Sequence, residues 1–186
     1  MAKRIKLQLL PKQIELILSN KREILFSSGY GGGKTRAGLI KLIRHARVKN
    51  AYCGLFRKTR TALELNTLKD LLEPSNNLPP LLPEGLYKHN KKNSTIDIKN
   101  GGQIFYCGFD DIKKIVGGNY SCAYIDEGIQ LDLEEYETIY YRLRNKNSLC
   151  NQIWTTTNPG SKNHFLYKRF FLEPDKVKKD NRLIIN

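Results

Sequence analysis

Residues 23–35 read Glu23-Ile-Leu-Phe-Ser-Ser-Gly-Tyr-Gly-Gly-Gly-Lys-Thr35, an apolar run followed by a glycine-rich turn and a Lys-Thr pair. The apolar run, Ile24 to Phe26, predicts a buried strand. The pattern from Arg36 to about Lys49 predicts a helix. A strand, a glycine loop and Gly-Lys-Thr at a helix start are together typical of a phosphate-binding loop. The alternative is a flexible glycine turn between a strand and a helix.

Such a loop binds phosphate with its backbone. Glycines allow the positive φ angles that point successive N–H groups inward, and the helix N-terminus adds unpaired donors and a partial positive charge. Lys34 is predicted to bridge the β- and γ-phosphates, and the Thr35 hydroxyl to ligate Mg²⁺. The predicted nucleotide contacts in this stretch are Ser28, Gly29, Gly31, Gly32, Gly33, Lys34, Thr35 and Arg36.

The loop departs from the usual spacing of Gly-x-x-x-x-Gly-Lys-[Ser/Thr]. The position of the first glycine is Ser28, and we expect Gly29 next to it to make the turn.

A second run, Ser121-Cys-Ala-Tyr-Ile-Asp-Glu127, predicts a buried strand with two carboxylates at its carboxyl end. Beside a phosphate loop, Asp126 would hold Mg²⁺ close to Thr35, directly or through water. Glu127 would orient and polarise the water that attacks the γ-phosphate. With Lys34, these two residues form the predicted catalytic set.

Four further positions have an open interpretation. Gln13, just inside a helix predicted to start at Pro11, offers the donor and acceptor that an adenine edge requires, or it is a solvated surface residue. Arg57, at the end of the strand 51–56, is either a contact to DNA phosphate or nucleotide or a solvated charge. Thr157 and Asn158, after the strand 152–156, either respond to the γ-phosphate or form a turn.

The remaining pattern predicts strands alternating with helices. It contains a helix from Thr61 to Leu72, a proline-rich loop over 74–85 and a hairpin of 94–99 against 103–107. A capping box at Asp132 precedes a helix to about Arg144, an aromatic helix covers 164–171, and a last strand covers 182–186. The sum is a P-loop α/β sandwich, with a mainly parallel sheet and one inserted β-hairpin.

Bulk composition narrows the class of protein. The 186 residues suit one domain. The net charge of +14, from 32 basic and 18 acidic residues, indicates either a polyanionic partner or only a generally basic surface. The four cysteines are scattered, which predicts buried thiols in a reducing compartment, and the three histidines are too far apart to predict a metal cluster. No run predicts a signal peptide or a membrane span. We therefore expect a cytosolic protein.

The chain resembles the N-terminal ATPase domain of the bacteriophage terminase large subunit, the motor that pumps DNA into a capsid. The resemblance covers nearly the whole chain in family order. Its motifs are Pro11-Lys12-Gln13, Gly29 to Thr35, Phe56-Arg-Lys-Thr59, Asn100-Gly-Gly-Gln-Ile-Phe-Tyr-Cys-Gly-Phe-Asp110, Tyr124-Ile-Asp-Glu127, Tyr141-Arg-Leu-Arg144, and Thr156-Thr-Asn-Pro159 with His164 and Tyr167.

The resemblance implies an ASCE-type three-layer sandwich and an ATPase that uses ATP and Mg²⁺. Gln13 would contact adenine, Glu127 would be the catalytic carboxylate, and Thr157 and Asn158 would couple hydrolysis to movement. The implied partners are double-stranded DNA, the portal protein, the small terminase subunit and further copies in a ring, with no membrane. The implied location is the host cytoplasm, transiently at the procapsid portal.

Two departures from the family pattern stand out. Many relatives carry Arg-Gly before the strand that ends in Asp-Glu, an arginine proposed to act on a neighbour's nucleotide, and that position is Val116 here. The basic group must then come from Lys113, Lys114, Arg36, Arg57 or elsewhere. The family's C-terminal nuclease is missing, so we expect residues 1–186 to be a terminase ATPase domain without nuclease activity, which is an excised domain, the product of a truncated gene or half of a split protein.

Two other functions stay open. The chain could be another DNA-dependent ATPase, such as a helicase half, although a second recombination-type domain is missing. It could instead be a fragment that binds nucleotide and DNA without turnover. A nucleotide kinase fits less well. The corresponding strand of a nucleotide kinase needs only one carboxylate, whereas Glu127 follows Asp126 in this chain.

The basic surface predicts contacts to the phosphate backbone of double-stranded DNA, without base readout. We expect the DNA affinity to fall on the order of 10³-fold between roughly 50 and 200 mM salt, equally for unrelated sequences, because bound counterions are released. Fluorescence anisotropy with duplexes of different sequence measures this. A strong sequence preference would contradict the prediction.

Overall fold

The computed structural model describes residues 8–74, 78–173 and 175–186. Part of the predicted proline-rich loop lies outside these ranges. The strands of the described residues form one sheet. They are β1 (Glu23–Ser27), β2 (Tyr52–Arg57), β3 (Tyr87–Asn90), β4 (Thr95–Ile98), β5 (Gln103–Gly108), β6 (Cys122–Asp126), β7 (Gln152–Thr157) and β8 (Arg182–Ile185).

The helices of these ranges pack on both faces of the sheet. They are α1 (Pro11–Leu18), α2 (Lys34–Ala46), α3 (Arg60–Ala62), α4 (Lys69–Leu72), α5 (Ile112–Val116), α6 (Leu133–Tyr140), α7 (Phe165–Phe171) and α8 (Lys176–Asp180). A π-helical turn, Leu63–Leu68, joins α3 to α4. No helix in the described part of the chain is long and apolar enough to cross a membrane.

The sheet order is β3-β4-β5-β2-β6-β7-β1-β8. From β5 to β8 every neighbouring pair is parallel, whereas β3, β4 and β5 pair antiparallel. The parallel strands read as short apolar runs because helices cover them on both sides. This confirms the predicted α/β sandwich with a mainly parallel sheet.

The predicted hairpin is present, with Thr95 opposite Phe105, and it is part of a larger unit. The strand β3 adds a third antiparallel strand, and β5 also pairs in parallel with β2. The residues of β3, Tyr-Lys-His-Asn, carry no apolar alternation, so the sequence did not predict a strand there. The insertion therefore extends the main sheet at its edge.

Two apolar cores lie on opposite faces of the sheet. The first contains Leu16 of α1, Leu39 and Leu42 of α2, and Leu63 and Leu71 from residues 60–72. The second contains residues of α5, α6 and α7, among them Ile115, Tyr136, Ile139, Leu166 and Phe170. Cys53, Cys107 and Cys122 are buried free thiols, as predicted, and Cys150 is half-buried. The described ranges contain no group of three or more histidine, cysteine, aspartate or glutamate side chains that could hold a metal ion.

Several predicted helix limits were wrong. The helix from Pro11 ends at Leu18, and α6 ends at Tyr140 after the predicted capping box of Asp132 and Glu135. The helix over residues 60–72 changes to a π-helical turn in its middle, which apolar spacing did not indicate. The short helix α8 was missed because Lys-Val-Lys-Lys-Asp has a single apolar residue.

The aromatic helix, predicted over 164–171, begins at Phe165, directly after His164. The His164 Nδ1 atom accepts a hydrogen bond from the backbone N–H of Leu166, 3.2 Å away. An imidazole nitrogen therefore caps this helix, a role that the sequence analysis did not assign to histidine.

A buried ionic cluster ties the amino end of β1 to later parts of the chain. The carboxylate of Glu23 accepts hydrogen bonds from Arg169 Nε at 2.6 Å, Arg182 Nε at 2.9 Å and the Tyr136 hydroxyl at 3.0 Å. Glu23 and Arg182 side chains are both 4% exposed. The cluster therefore joins β1 to α6, α7 and β8 at the edge of the sheet remote from the phosphate loop.

We expect Glu23→Gln to lower the free energy of unfolding by about 3–5 kcal/mol, because it removes the buried negative charge that pairs with Arg169 and Arg182. Denaturant unfolding followed by circular dichroism measures this. Glu134→Gln, an exposed carboxylate in the first turn of α6, is the matched control and should change stability by less than about 1 kcal/mol. Equal stability of the two variants would contradict the prediction.

Candidate nucleotide-binding site

The predicted site residues meet at the carboxyl edge of the parallel sheet. The ends of β1, β7 and β6 lie side by side, with Ser27 beside Thr157 and Asp126 beside Thr156. The strand β2 lies on the other side of β6 and ends at Arg57. Because parallel strands end at the same edge, residues up to 130 positions apart in the chain come together there.

Two glycines give the phosphate-binding loop its shape. Gly31 has φ of 77° and Gly33 has φ of 66°, the left-handed conformation that glycine adopts without strain. Gly33 is also the residue that precedes α2. Gly29 does not have a positive φ, so the expectation that it replaces the missing first glycine was wrong. Ser28 instead continues β1, since its N–H donates to Thr157 O at 3.3 Å.

Lys34 is buried at the start of α2 and points into the loop. Its ammonium donates to the carbonyls of Ser28 and Gly29, both at 2.8 Å, and to Asn158 Oδ1 at 3.0 Å. Burial lowers the pKa of Lys34, while the charges of Glu127 and Asp126 oppose that shift. The ammonium therefore sits where the loop backbone, the residue after β7 and the two carboxylates after β6 converge.

The carboxylate of Asp126, 2% exposed, receives hydrogen bonds on both oxygens. Its Oδ1 atom lies 3.1 Å from Thr35 Oγ1, 3.1 Å from the Tyr124 hydroxyl and 2.8 Å from Thr156 Oγ1. Its Oδ2 atom lies 2.6 Å from Thr67 Oγ1 and 3.5 Å from Arg57 Nη1. A buried negative charge is tolerated because these donors replace its hydration.

The donor set fits Mg²⁺. Magnesium prefers hard oxygen ligands at about 2.1 Å in octahedral geometry, which places neighbouring ligand oxygens about 2.9 Å apart. Thr35 Oγ1 and Asp126 Oδ1 are two such oxygen atoms, and they lie 3.1 Å apart. Thr35 and Asp126 are therefore the residues that would hold the ion.

Glu127 follows directly and has a left-handed backbone, with φ of 57°. This conformation is uncommon for a residue with a side chain and is found at functional sites. Glu127 is half-buried and borders a cavity of about 380 Å³. The other residues around this cavity are Tyr30, Gly31, Gly32, Gly33, Lys34, Thr35, Arg36, Asp70, Leu78 and Asn158.

Arg57 lies inside the site rather than in solvent, which overturns the solvated-charge interpretation. Its side chain is 14% exposed, and its Nη1 atom contacts Asp126 Oδ2 at 3.5 Å and Thr67 Oγ1 at 3.2 Å. The Nε atom is buried with no hydrogen-bond partner among the described residues. Thr67, the common partner of Arg57 and Asp126, was missed because a threonine within a helical pattern carries no signal.

Gln13 lies against the phosphate loop. Its Nε2 donates to Gly32 O at 3.1 Å, and its Oε1 accepts from the backbone N–H of Leu10 at 3.0 Å. A side-chain amide has two N–H groups and two acceptor positions, so one of each remains for an adenine edge. The structure thus brings Gln13 to the loop.

Side chains of α2 and β7 hold α1 in this place. Lys41 Nζ and Gln152 Nε2 donate to Ser19 O at 2.8 and 2.9 Å, and Arg44 Nη1 donates to Ile17 O at 2.7 Å. These bonds satisfy carbonyls at the end of α1 that have no partner within the helix. Burial lowers the pKa of Lys41 to about 8. The helix that carries Gln13 is therefore fixed to the helix that carries Lys34 and Thr35.

The residues after β7 connect the loop to the segment after β6. Asn158 Oδ1 accepts from Lys34 Nζ, and Thr157 Oγ1 accepts from the backbone N–H of Ile129 at 3.2 Å. The Nε2 atom of His164 lies 3.0 Å from Leu131 O in the same segment. Asn158 therefore contacts Lys34, and Thr157 contacts the chain that follows Glu127. Thr157 and Asn158 thus do more than form a turn.

The fold and the site together define a P-loop NTPase. The family model described as the phage terminase large subunit matches residues 20–186. The chain therefore belongs to the phage terminase large subunit family. No curated protein matches it.

Solved structures of large terminases have a similar fold. The large terminase of a thermophilic bacteriophage gives a TM-score of 0.74 at 18% identity, over 96% of this chain and 44% of that one. The same terminase in complex with ATP-gamma-S gives 0.71 at 18% identity, over 94% and 43%. The ATPase domain of the Thermus phage P74-26 large terminase gives 0.62 at 10% identity, over 96% and 80%. The chain thus spans under half the length of the first of these proteins.

We expect Gln13→Ala to weaken ATP binding about tenfold, the equivalent of one lost hydrogen bond, while GTP binding changes little. Competition against a fluorescent nucleotide measures both affinities. Glu15→Ala, on the exposed side of α1, is the matched control and should leave both affinities unchanged. Equal losses for ATP and GTP would show that Gln13 supports the loop without reading the base.

Proposed function

We propose that this chain is the ATP-hydrolysing motor domain of a phage large terminase and drives double-stranded DNA into the procapsid. The observation that carries the proposal is the meeting of Lys34, Thr35 and Glu127 at one cavity, with the buried Asp126 carboxylate 3.1 Å from the Thr35 hydroxyl. Family membership supports it, and so does the complex of the structurally similar thermophilic bacteriophage terminase with ATP-gamma-S.

The chemistry assigns one task to each side chain. Lys34 and the N–H groups of residues 31–35 bind the β- and γ-phosphates and stabilise the charge that develops on them. Glu127 orients a water molecule in line with the γ-phosphorus and takes its proton as the new O–P bond forms. The bond between the γ-phosphorus and the bridging oxygen breaks, and ADP and inorganic phosphate result.

Thr35 and Asp126 would hold the ion. Mg²⁺ supplies charge neutralisation of the β- and γ-phosphate oxygens when it is bound. The chain's own contribution is a carboxylate that is already oriented, because its oxygens receive hydrogen bonds from Tyr124, Thr156 and Thr67. Little reorganisation is needed at the moment of reaction, which favours the transition state.

Coupling to movement is assigned to Thr157 and Asn158. The Lys34 ammonium donates hydrogen bonds both to loop carbonyls and to Asn158. When Lys34 exchanges these partners for phosphate oxygens, the hydrogen bond to Asn158 changes as well. Thr157 holds the backbone of Ile129 and thereby the segment that follows Glu127. Loss of the γ-phosphate would change the hydrogen bonds of Lys34, including the one to Asn158, and shift the chain on either side of it.

The proposed partners follow from charge and from family membership. The net charge of +14 suits the backbone of double-stranded DNA. The portal protein, the small terminase subunit and further copies in a ring complete the proposed machine, which works in the host cytoplasm at the procapsid. Residues 1–186 form its ATPase domain, and we assign no nuclease activity to this chain.

A second candidate is a domain that binds nucleotide and DNA without turnover. The observation in its favour is Val116, which occupies the place of the relatives' arginine. If no other basic group acts on a neighbour's nucleotide, the loss could reach about 10³–10⁵ in rate.

We expect Glu127→Gln to abolish DNA-stimulated ATP turnover while leaving ATP affinity within about threefold, since the side chain acts on water rather than on the nucleotide. Phosphate release with and without duplex DNA measures turnover. Glu134→Gln, an exposed carboxylate of α6, is the control and should keep full activity. Unchanged turnover in Glu127→Gln would defeat the assignment.

The same assay over a range of protein concentrations separates the two candidates. Turnover that rises faster than linearly with protein indicates that neighbouring copies complete the site. Binding of Mg²⁺-ATP without phosphate release at any concentration would favour the second candidate, and unwinding of duplex DNA would favour a helicase.

A further inference from the structure

The π-helical turn Leu63–Leu68 lies against the proposed metal site. In this turn Leu63, Thr67 and Leu68 are buried and the three residues between Leu63 and Thr67 are exposed. In a regular α-helix, residues 63 and 68 would point about 140° apart, because each residue turns the helix by about 100°. The wider turn brings Leu63 and Leu68 to the same core together with Thr67.

The widened turn has its own internal support. The side-chain amide of Asn66 donates to Ala62 O at 3.0 Å, and Thr59 caps the preceding helix by accepting from Ala62 N at 3.2 Å. Insertions of this kind are found in helices at functional sites. Here the result is that Thr67, fully buried, directs its hydroxyl to Asp126 Oδ2 at 2.6 Å.

A carboxylate can rotate about its last torsion, which is broad and nearly two-fold. Donors on both oxygens of Asp126 oppose this rotation, with three on Oδ1 and Thr67 on Oδ2. On Oδ2 the alternative donor is Arg57, at the long distance of 3.5 Å, whereas the Thr67 bond is short and charge-assisted. Fixing Oδ2 keeps Oδ1 toward Thr35, where the ion is proposed to bind.

We propose that Thr67, presented by the π-helical turn, is a positioning residue that orients Asp126 for Mg²⁺. The inference rests on the proposed nucleotide function of the site. Thr67 itself touches neither the nucleotide nor the ion. It acts through Asp126, so its removal should weaken metal binding more than nucleotide binding.

The test is the affinity for Mn²⁺ in the presence of a non-hydrolysable ATP analogue, followed by electron paramagnetic resonance. We expect Thr67→Val, which keeps the shape and removes the hydroxyl, to weaken Mn²⁺ binding about 10- to 100-fold. Affinity for the analogue in EDTA should stay within about twofold. Thr67→Ser, which restores the hydroxyl, should return Mn²⁺ affinity to within about threefold of the original.

Thr155→Val is the matched control. Thr155 is 1% exposed in β7, and its hydroxyl has no hydrogen-bond partner among the described residues. Its replacement should leave Mn²⁺ affinity unchanged. Wild-type Mn²⁺ affinity in folded Thr67→Val, or equal losses in Thr67→Val and Thr67→Ser, would overturn the inference.

Two outcomes keep this inference distinct from the proposed function. If the unaltered chain binds no ATP analogue with or without metal, the proposed function fails. If it binds the analogue and Mn²⁺ and Thr67→Val binds both equally well, only the role of Thr67 fails. If Thr67→Val does not fold, Thr67→Cys against Thr67→Ser replaces it, since a thiol is a weak donor of similar size. Equal Mn²⁺ affinity in that pair would also overturn the inference.

Discussion

The buried carboxylate of Asp126 is the point on which the site depends. A negative charge at 2% exposure is stable only when hydrogen-bond donors replace water, and here the donors come from five separate parts of the chain. Thr35 comes from α2, Tyr124 from β6 itself, Thr156 from β7, and Thr67 from the π-helical turn, with Arg57 at the end of β2 beside it. The need to satisfy one side chain thus brings the ends of three neighbouring strands and two helical segments into a fixed arrangement.

The rest of the site is built around the same edge. Lys34 donates its three N–H groups to two loop carbonyls and Asn158, so the ammonium is held in the cavity that Glu127 borders. The helix α1 is pinned to α2 by Lys41 and Arg44, which keeps Gln13 against the loop. At the opposite end of β1, the cluster around Glu23 ties the sheet to α6, α7 and β8. The carboxyl end of β1 therefore contributes to the nucleotide-binding site, and its amino end contributes to the stability of the fold.

The sequence predicted the elements that have a strong local signature. The parallel strands were found because short apolar runs end at turn residues, and the capping box at Asp132 and Glu135 was found from its spacing. The prediction failed where local pattern and tertiary context differ. The strand β3 forms because it can pair with the free edge of β4. The π-helical turn forms because Leu63 and Leu68 both pack into one core, which a regular α-helix would not allow. The prediction for Gly29 failed in the same way, because Gly31 and Gly33 adopt positive φ in the loop and Gly29 does not.

The amino-acid sequence alone was enough to define the class of site, because a phosphate-binding loop and a strand ending in two carboxylates are local patterns whose residue types carry the chemistry. Lys34, Thr35, Asp126 and Glu127 could be named from it, as could Gln13, Thr157 and Asn158. Which side chains meet was decided by the tertiary structure. The role of Thr67, the ion pair of Arg57 with Asp126 and the link from Asn158 to Lys34 depend on strand order and on the register of β6 between β2 and β7. Those contacts join residues 59 to 124 positions apart, and no local periodicity encodes a contact at that separation.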